Sequence, residues 1–262
     1  MRLKGMVAIV TGASRGIGKS IAVGFAKEGA GVVIAARSET ERQGGLPGTI
    51  YYTAEEIKRL GGQALAVKCD VTDEASVNAM VAQTIERFGR IDTLVNNAGV
   101  SFFYPVVETP LKRWDVVMKV NVNGAFVCAK AVLPRMIAQR SGSIINISSL
   151  AADERDEGLV PTGLAYAVSK AALDRFTWGL ATEVGRYNIA VNCLKPKKVV
   201  DTEGMRFWMN EEDRKDWVSP DKMVACAIFL AQQDSKGVTG VVATDEELSV
   251  WHGLSHEQTV LS

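Results

Sequence analysis

The stretch Val7-Ala8-Ile9-Val10-Thr11-Gly12-Ala13-Ser14-Arg15-Gly16-Ile17-Gly18 runs from a β-branched apolar segment straight into a glycine-rich turn. Residues 7–10 read as a buried strand and 16–28 as the helix after it, closed by Gly29. Glycines let a backbone turn sharply and approach a ligand closely, and the free N–H groups at a helix start favour negative charge. The turn is therefore a phosphate-binding candidate through Gly12, Ser14, Arg15, Gly16, Ile17 and Gly18. Two other glycine motifs fail on spacing. The fingerprint G-x-G-x-x-G needs offsets other than 12, 16 and 18. A P-loop ending in Gly18-Lys19-Ser20 needs glycine where Ala13 stands, which disfavours an NTPase.

Outward from this turn the same alternation repeats. Short apolar runs at 31–36, 64–69, 91–96, 143–148 and 189–194 read as strands, with helical patterns at 54–60, 74–88, 110–139 and 164–186 between them. Short strands alternating with amphipathic helices predict an α/β fold: a single Rossmann-type doubly wound parallel sheet with helices on both faces. No linker or repeat divides the chain, so 1–262 reads as one domain. Two segments break the rhythm. One is the Gly-, Thr- and Glu-rich connection 37–53. The other is 199–220, which carries Met205, Phe207, Trp208, Met209 and Trp217 and reads as an apolar flap over a pocket, or as an ordinary packed helix or subunit contact.

Composition narrows the function. Thirty Lys and Arg balance 30 Asp and Glu over 262 residues, which gives no electrostatic reason to expect nucleic acid or a membrane surface. Cys69, Cys128, Cys193 and Cys226 form no Cys-x-x-Cys pair, and both histidines, His252 and His256, lie near the C-terminus. No zinc site or disulfide scaffold is expected; the thiols read as buried and reduced. The first apolar run is too short for a signal-peptide core, and no run of about 18 uninterrupted apolar residues exists. A soluble, cytoplasmic protein is expected.

Tyr166-Ala167-Val168-Ser169-Lys170 puts a phenol and an ammonium one turn apart on a helix face. A nearby cation stabilises phenolate, so such a tyrosine exchanges a proton with a carbonyl or alcohol oxygen. Ser148-Ser149, at the end of a strand upstream, adds a hydroxyl.

With these residues the chain resembles the short-chain dehydrogenase/reductase family, from about Lys4 to Asp245. The resemblance rests on the Thr11–Gly18 turn, Asn96-Asn97-Ala98-Gly99 after the fourth strand, Asn121 in Asn121-Val122-Asn123-Gly124, Ser149 rather than Ser148, Tyr166 and Lys170. It implies that Tyr166 is the general acid/base, that Ser149 polarises the substrate oxygen, that Lys170 binds the nicotinamide ribose and lowers the Tyr pKa, and that Asn121 positions a proton-relaying water. It also implies cofactor contacts from Asn97, Ala98 and Gly99, from the adenine-side pair Asp70-Val71, and from Pro196 and Thr202, with no metal. NAD-preferring relatives carry Asp at the end of the second strand; here Ala36 stands there, followed by Arg37 and Ser38. Arg37 and Arg15 suit a 2′-phosphate, so NADP(H) is expected over NAD(H).

The chain departs from the family pattern in three places. Pro196-Lys197-Lys198 stands where relatives carry Pro-Gly, Val241–Leu248 replaces a strand ending in Asp-Gly-Gly, and an acidic insert covers 153–157. Together with the long connection at 37–53, the first two resemble the hydroxysteroid-dehydrogenase-like branch. The expected activity is interconversion of a ketone or aldehyde and an alcohol, on an apolar substrate facing Phe102, Phe103, Tyr104 and the 205–208 group. The alternative is a cofactor-binding relative with weak or lost turnover. Long apolar helices and the resemblance point to a homo-oligomer, a dimer or tetramer.

Overall fold

The first strand, β1 (Val7–Thr11), is buried along its whole length, as a strand covered on both faces must be. It leads into α1 (Gly16–Lys27). The chain continues through β2 (Gly31–Ala36), α2 (Ile50–Arg59), β3 (Gln63–Lys68), α3 (Glu74–Phe88), β4 (Thr93–Asn96), α4 (Leu111–Met118), α5 (Gly124–Gln139), β5 (Gly142–Ile147), α6 (Leu164–Val184) and β6 (Ile189–Lys195). It closes with α7 (Glu203–Trp208), α8 (Asp221–Ala231), β7 (Val242–Thr244) and α9 (Asp245–His252). This is a computed structural model, and it describes residues 1–41, 43–153 and 163–254. Most of the acidic insert, and His256, lie outside the described residues.

The strands form one parallel sheet in the order β3-β2-β1-β4-β5-β6-β7. Successive side chains of a strand point to opposite faces. Accordingly Ala8, Val10, Val32 and Ile34 join Ile21 and Phe25 of α1, Ile57 of α2, and Cys226 and Leu230 of α8 in one core. Ile9, Val33 and Ala35 join Val77 and Met80 of α3, Cys128 and Val132 of α5, and Leu180 and Val184 of α6 in the other. The doubly wound α/β fold expected from the periodicity is the fold observed. β1 pairs with β2 on one side and β4 on the other, so the chain order reverses at its C-terminal end, where the glycine turn sits. Sheets of this kind bind ligands at such a switch point.

Most element boundaries fall within two residues of the sequence reading, and three differences are larger. α2 begins at Ile50 rather than 54, because the Thr49 hydroxyl accepts from the Tyr52 N–H at 3.0 Å and caps the helix. The preceding connection therefore ends at Thr49. The run expected as a helix over 110–139 contains a π turn, Lys119–Asn123, between α4 and α5. Among the described residues this run, Leu111–Gln139, is the one helix long and apolar enough to cross a membrane by length and composition. Its Cys128, Val132 and Met136 are wholly buried in the protein core. Beyond β6, α8, β7 and α9 were not read as elements. A Thr244–Glu247 capping box starts α9.

All four cysteines are buried and unpaired, and burial pushes the Cys69 and Cys226 thiols up to about 11.

Candidate active site

The glycine turn is held from below by the segment after β4. The Thr11 hydroxyl accepts from the N–H groups of Asn97 (3.0 Å) and Ala98 (3.1 Å), and the Asn97 amide donates to the carbonyls of Thr11 (2.9 Å) and Gly12 (3.3 Å). The packing accounts for two glycines. A Cβ on Gly12, where φ is +65°, would lie 2.8 Å from Ala98 Cα, and one on Gly18 would lie 2.3 Å from Asn97 Nδ2. Asn97 is thus the staple of the turn, with Ala98 beneath it.

Arg15 ties the next loop to this turn. Its guanidinium donates to Ser38 Oγ at 3.2 Å and to the Gly48 carbonyl at 2.8 Å, while its buried Nε has no partner among the described residues. An orphaned cationic donor beside a glycine cradle fits an anionic ligand. Arg37 is exposed and lies 4.0 Å from Asp70. The Asp70 carboxylate also accepts from the Thr72 N–H and hydroxyl, at 2.9 and 2.8 Å. Val71 is buried against Gly124.

The four residues expected to carry the chemistry come from three segments: the π turn, the residues after β5, and α6. Ser149 lies two residues beyond β5 and caps a short 3-10 turn, Leu150–Ala152, accepting from Ala151 N–H at 3.2 Å. Ser148 is buried, and its hydroxyl donates to the Lys170 carbonyl at 3.3 Å, which leaves Ser149 as the more accessible hydroxyl. Tyr166 lies partly buried in the first turn of α6. Lys170, one turn on, is buried; its Nζ donates to the Ile147 carbonyl at 2.7 Å and lies 5.5 Å from the centre of the Tyr166 ring. Asn121 sits in the π turn, and its amide is fully engaged: Oδ1 accepts from Val100 N–H at 2.8 Å, and Nδ2 donates to the Val100 carbonyl at 3.0 Å and to Ser169 Oγ at 2.9 Å. Its side chain therefore joins the segment after β4 to α6. Ser169 in turn donates to the Tyr166 carbonyl at 2.7 Å.

A family model described as short chain dehydrogenase matches residues 6–213. The chain belongs to the short-chain dehydrogenase family. Hydroxysteroid dehydrogenase-like protein 2 of Pongo abelii is 37% identical over 97% of this chain, and this chain spans 60% of that relative's length. Among solved structures, a metagenomic short-chain oxidoreductase in complex with NADP is 31% identical with a TM-score of 0.76, over 93% of this chain and 98% of that one. A 7α-hydroxysteroid dehydrogenase complexed with NADH and 7-oxo glycochenodeoxycholic acid is also 31% identical, with a TM-score of 0.82 over 93% of each chain.

Within this short-chain dehydrogenase, the sequence reading missed a buried charge cluster. Lys195, the last residue of β6, has a side chain only 3% exposed. Its Nζ pairs with Asp174 at 2.7 Å and with the carboxylate of Asp153. Asp174 stands two turns beyond Tyr166 on α6 and accepts from Cys193 Sγ at 3.2 Å. Burial lowers the Lys195 pKa, but the two carboxylates outweigh it and hold the ammonium above its ordinary range. One side chain thus clips together the end of β6, the turn that begins at Ser149, and the helix of Tyr166. The sequence signal was available, since a lysine ending an otherwise buried strand requires an acidic partner.

The departures from the family pattern form a connected structure. Asp245, buried at the start of α9, accepts from Lys197 N–H at 2.8 Å, so the residues after Pro196 are held by the C-terminal helix. Burial pushes the Asp245 carboxyl up from its ordinary value. The aromatic wall is only partly assembled. Phe102 lies under Arg113, 4.4 Å from ring centre to guanidinium, but Phe103 is 58% and Tyr104 40% exposed. The Phe102 carbonyl would lie 2.0 Å from a Cβ on Gly163, where φ is +72°; this glycine seats the aromatic segment against the start of α6, next to Tyr166. In the flap, Val200 pairs with Val218 and Asp201 binds Arg206 through two 2.6 Å contacts.

Proposed function

We propose that this short-chain dehydrogenase is an NADP(H)-dependent oxidoreductase that interconverts a ketone or aldehyde and an alcohol on an apolar substrate. The observation that carries the reading is the buried Lys170 ammonium, fixed by the Ile147 carbonyl beneath the Tyr166 ring. The nicotinamide, when bound, supplies or accepts the hydride. Tyr166 Oη holds the proton given to, or taken from, the substrate oxygen, and Ser149 Oγ donates a hydrogen bond to that oxygen. The Lys170 cation stabilises charge developing on the phenol. Asn121, through Ser169 and Val100, keeps the helix and the segment after β4 in register.

Gly12, Ser14, Arg15, Gly16, Ile17 and Gly18 cradle the phosphates, with Thr202 facing them. Asp70 and Val71 flank the adenine, while Gly99, Pro196 and the segment with Asn97 and Ala98 border the nicotinamide end. Preference for the 2′-phosphate is supported by Ala36, which offers no carboxylate, by the Nε of Arg15, unpartnered among the described residues, by exposed Arg37 beside Ser38, and by the NADP-bound relative. The protein works in the cytoplasm as a homo-oligomer without nucleic-acid or membrane partners. Its subunits meet through the outer faces of α5 and α6, where Phe126 and Trp178 are half exposed and Ala172, Phe176 and Gly179 line an open hollow.

The test is cofactor oxidation with NADPH over a ketone panel. The wild type turns over and binds NADPH more tightly than NADH. Tyr166→Phe retains NADPH binding and loses about 10²- to 10⁴-fold in rate. Tight binding with no turnover on any ketone favours the binding-protein alternative, and tighter NADH binding overturns the cofactor assignment.

A further inference from the structure

Glu203 occupies the donor that a phosphate-binding turn offers to its ligand. The Gly16 N–H, the first of the α1 groups with no intrahelical acceptor, donates to Glu203 Oε2 at 2.8 Å. Lys19 Nζ, on the next turn, lies 3.5 Å from Glu203 Oε1 and 3.1 Å from Glu56. Thr202 is seated on the same spot, 3.6 Å from where a Cβ on Gly16 would stand. Glu203 lies 187 residues along the chain from Gly16 and begins α7, the helix of the 199–220 flap. Its hydrogen bond therefore joins the flap to the glycine turn.

The two ends of the flap are tied together independently of this bond. Val218 N–H donates to the Val199 carbonyl at 2.9 Å and Asp201 N–H to the Val218 carbonyl at 2.8 Å. The segment is thus a closed loop with, among the described residues, one charged attachment to the turn. Burial raises the Glu203 pKa, but hydrogen bonds from its own N–H and from Gly16, with the charge of Lys19, hold it below its ordinary range. The attachment is charged at neutral pH. A dinucleotide brings a diphosphate to a helix start of this kind, and a carboxylate and a phosphate carrying like charge do not share one N–H.

We propose that Glu203 is an internal competitor for the cofactor's diphosphate: it latches the flap onto the glycine turn in the free protein and is expelled when the dinucleotide enters. The proposal rests on the dinucleotide-binding reading above. It makes Glu203 a determinant of cofactor affinity that opposes binding, and it couples cofactor entry to release of the flap.

The test titrates NADPH and NADH into the wild type and Glu203→Gln, alongside thermal melts and amide hydrogen exchange of both free proteins. The glutamine keeps an acceptor for Gly16 and removes the charge. Expected is roughly three- to tenfold tighter binding of both cofactors, with a lower melting temperature and faster exchange over 199–209 in the free variant. Unchanged or weaker binding by the variant overturns the competition. If neither protein binds either nucleotide, the dinucleotide reading fails and the latch is judged by exchange alone: faster exchange over 199–209 in Glu203→Gln supports it, and equal exchange overturns it.

Discussion

The two walls of the candidate site are built differently. On the β1–α1 side the shape is set by backbone: two glycines fit where any side chain would strike Ala98 or Asn97, and Thr11 and Asn97 hold the turn through main-chain groups. On the β6–α7 side the shape is set by charge: Lys195 between Asp174 and Asp153, Asp245 on Lys197 N–H, Glu203 on Gly16 N–H. A backbone wall tolerates changes of charge and fails on added volume. A charge-built wall tolerates changes of volume and fails when one partner is removed.

The sharpest way to break the charged wall is Lys195→Met, which strands a buried Asp174 carboxylate. We expect a loss of about 3–5 kcal/mol, read by urea unfolding, and recovery of most of it in Lys195→Met/Asp174→Leu, where the pair is removed together. If the single substitution costs no more than a surface change, the clip is not a structural element. The same pair sets an alkaline limit. The folded pKa of Lys195 lies above its ordinary 10.5, so its contribution is complete below the unfolded value and is lost as pH rises through the folded one. The stability difference between wild type and Lys195→Met should therefore be flat through neutral pH and shrink above about pH 10.5.

The backbone wall is tested by Gly18→Ala. Its methyl would meet Asn97 Nδ2 at 2.3 Å and the Gly12 carbonyl at 2.8 Å. A loss of about 1–3 kcal/mol, with weakened NADPH binding in a fluorescence titration, is expected. A variant that binds NADPH normally would show that Asn97 gives way without disturbing the turn. The smallest effect should come from Thr244→Ala, which removes the cap of α9. About 1 kcal/mol is expected by thermal melting, against none if the helix that positions Asp245 is held by packing alone.

This contrast also explains what could be read from sequence. β2 and α3 fall on the expected residues, because an unbroken apolar run and a helical apolar period each leave a local signature. The glycine turn, Tyr166 with Lys170, and Ser149 are legible because their spacing is fixed within one turn or one strand end. Lys195 with Asp174 and Glu203 with Gly16 are not, since their partners are set by sheet order and loop closure rather than by any period. Gly163 was missed for a related reason: its positive φ answers a carbonyl at Phe102, some sixty residues earlier. β7 and the start of α9 lie within 241–248, where the familiar family ending is replaced, so neither motif nor resemblance marked them, and α8 is an almost wholly apolar run that carries no motif.

Gly48, where φ is +94°, seats so closely on the glycine turn that a Cβ there would lie 2.5 Å from the Ser14 carbonyl, and Arg15 grips its carbonyl from the other side. The exposed Gly44-Gly45 tip therefore hangs between two anchored posts. A small fluorophore placed on that tip would sit within one short loop of the nucleotide cradle without touching it. The loop that the long insertion makes is, in engineering terms, a ready mounting point for a reporter of cofactor occupancy.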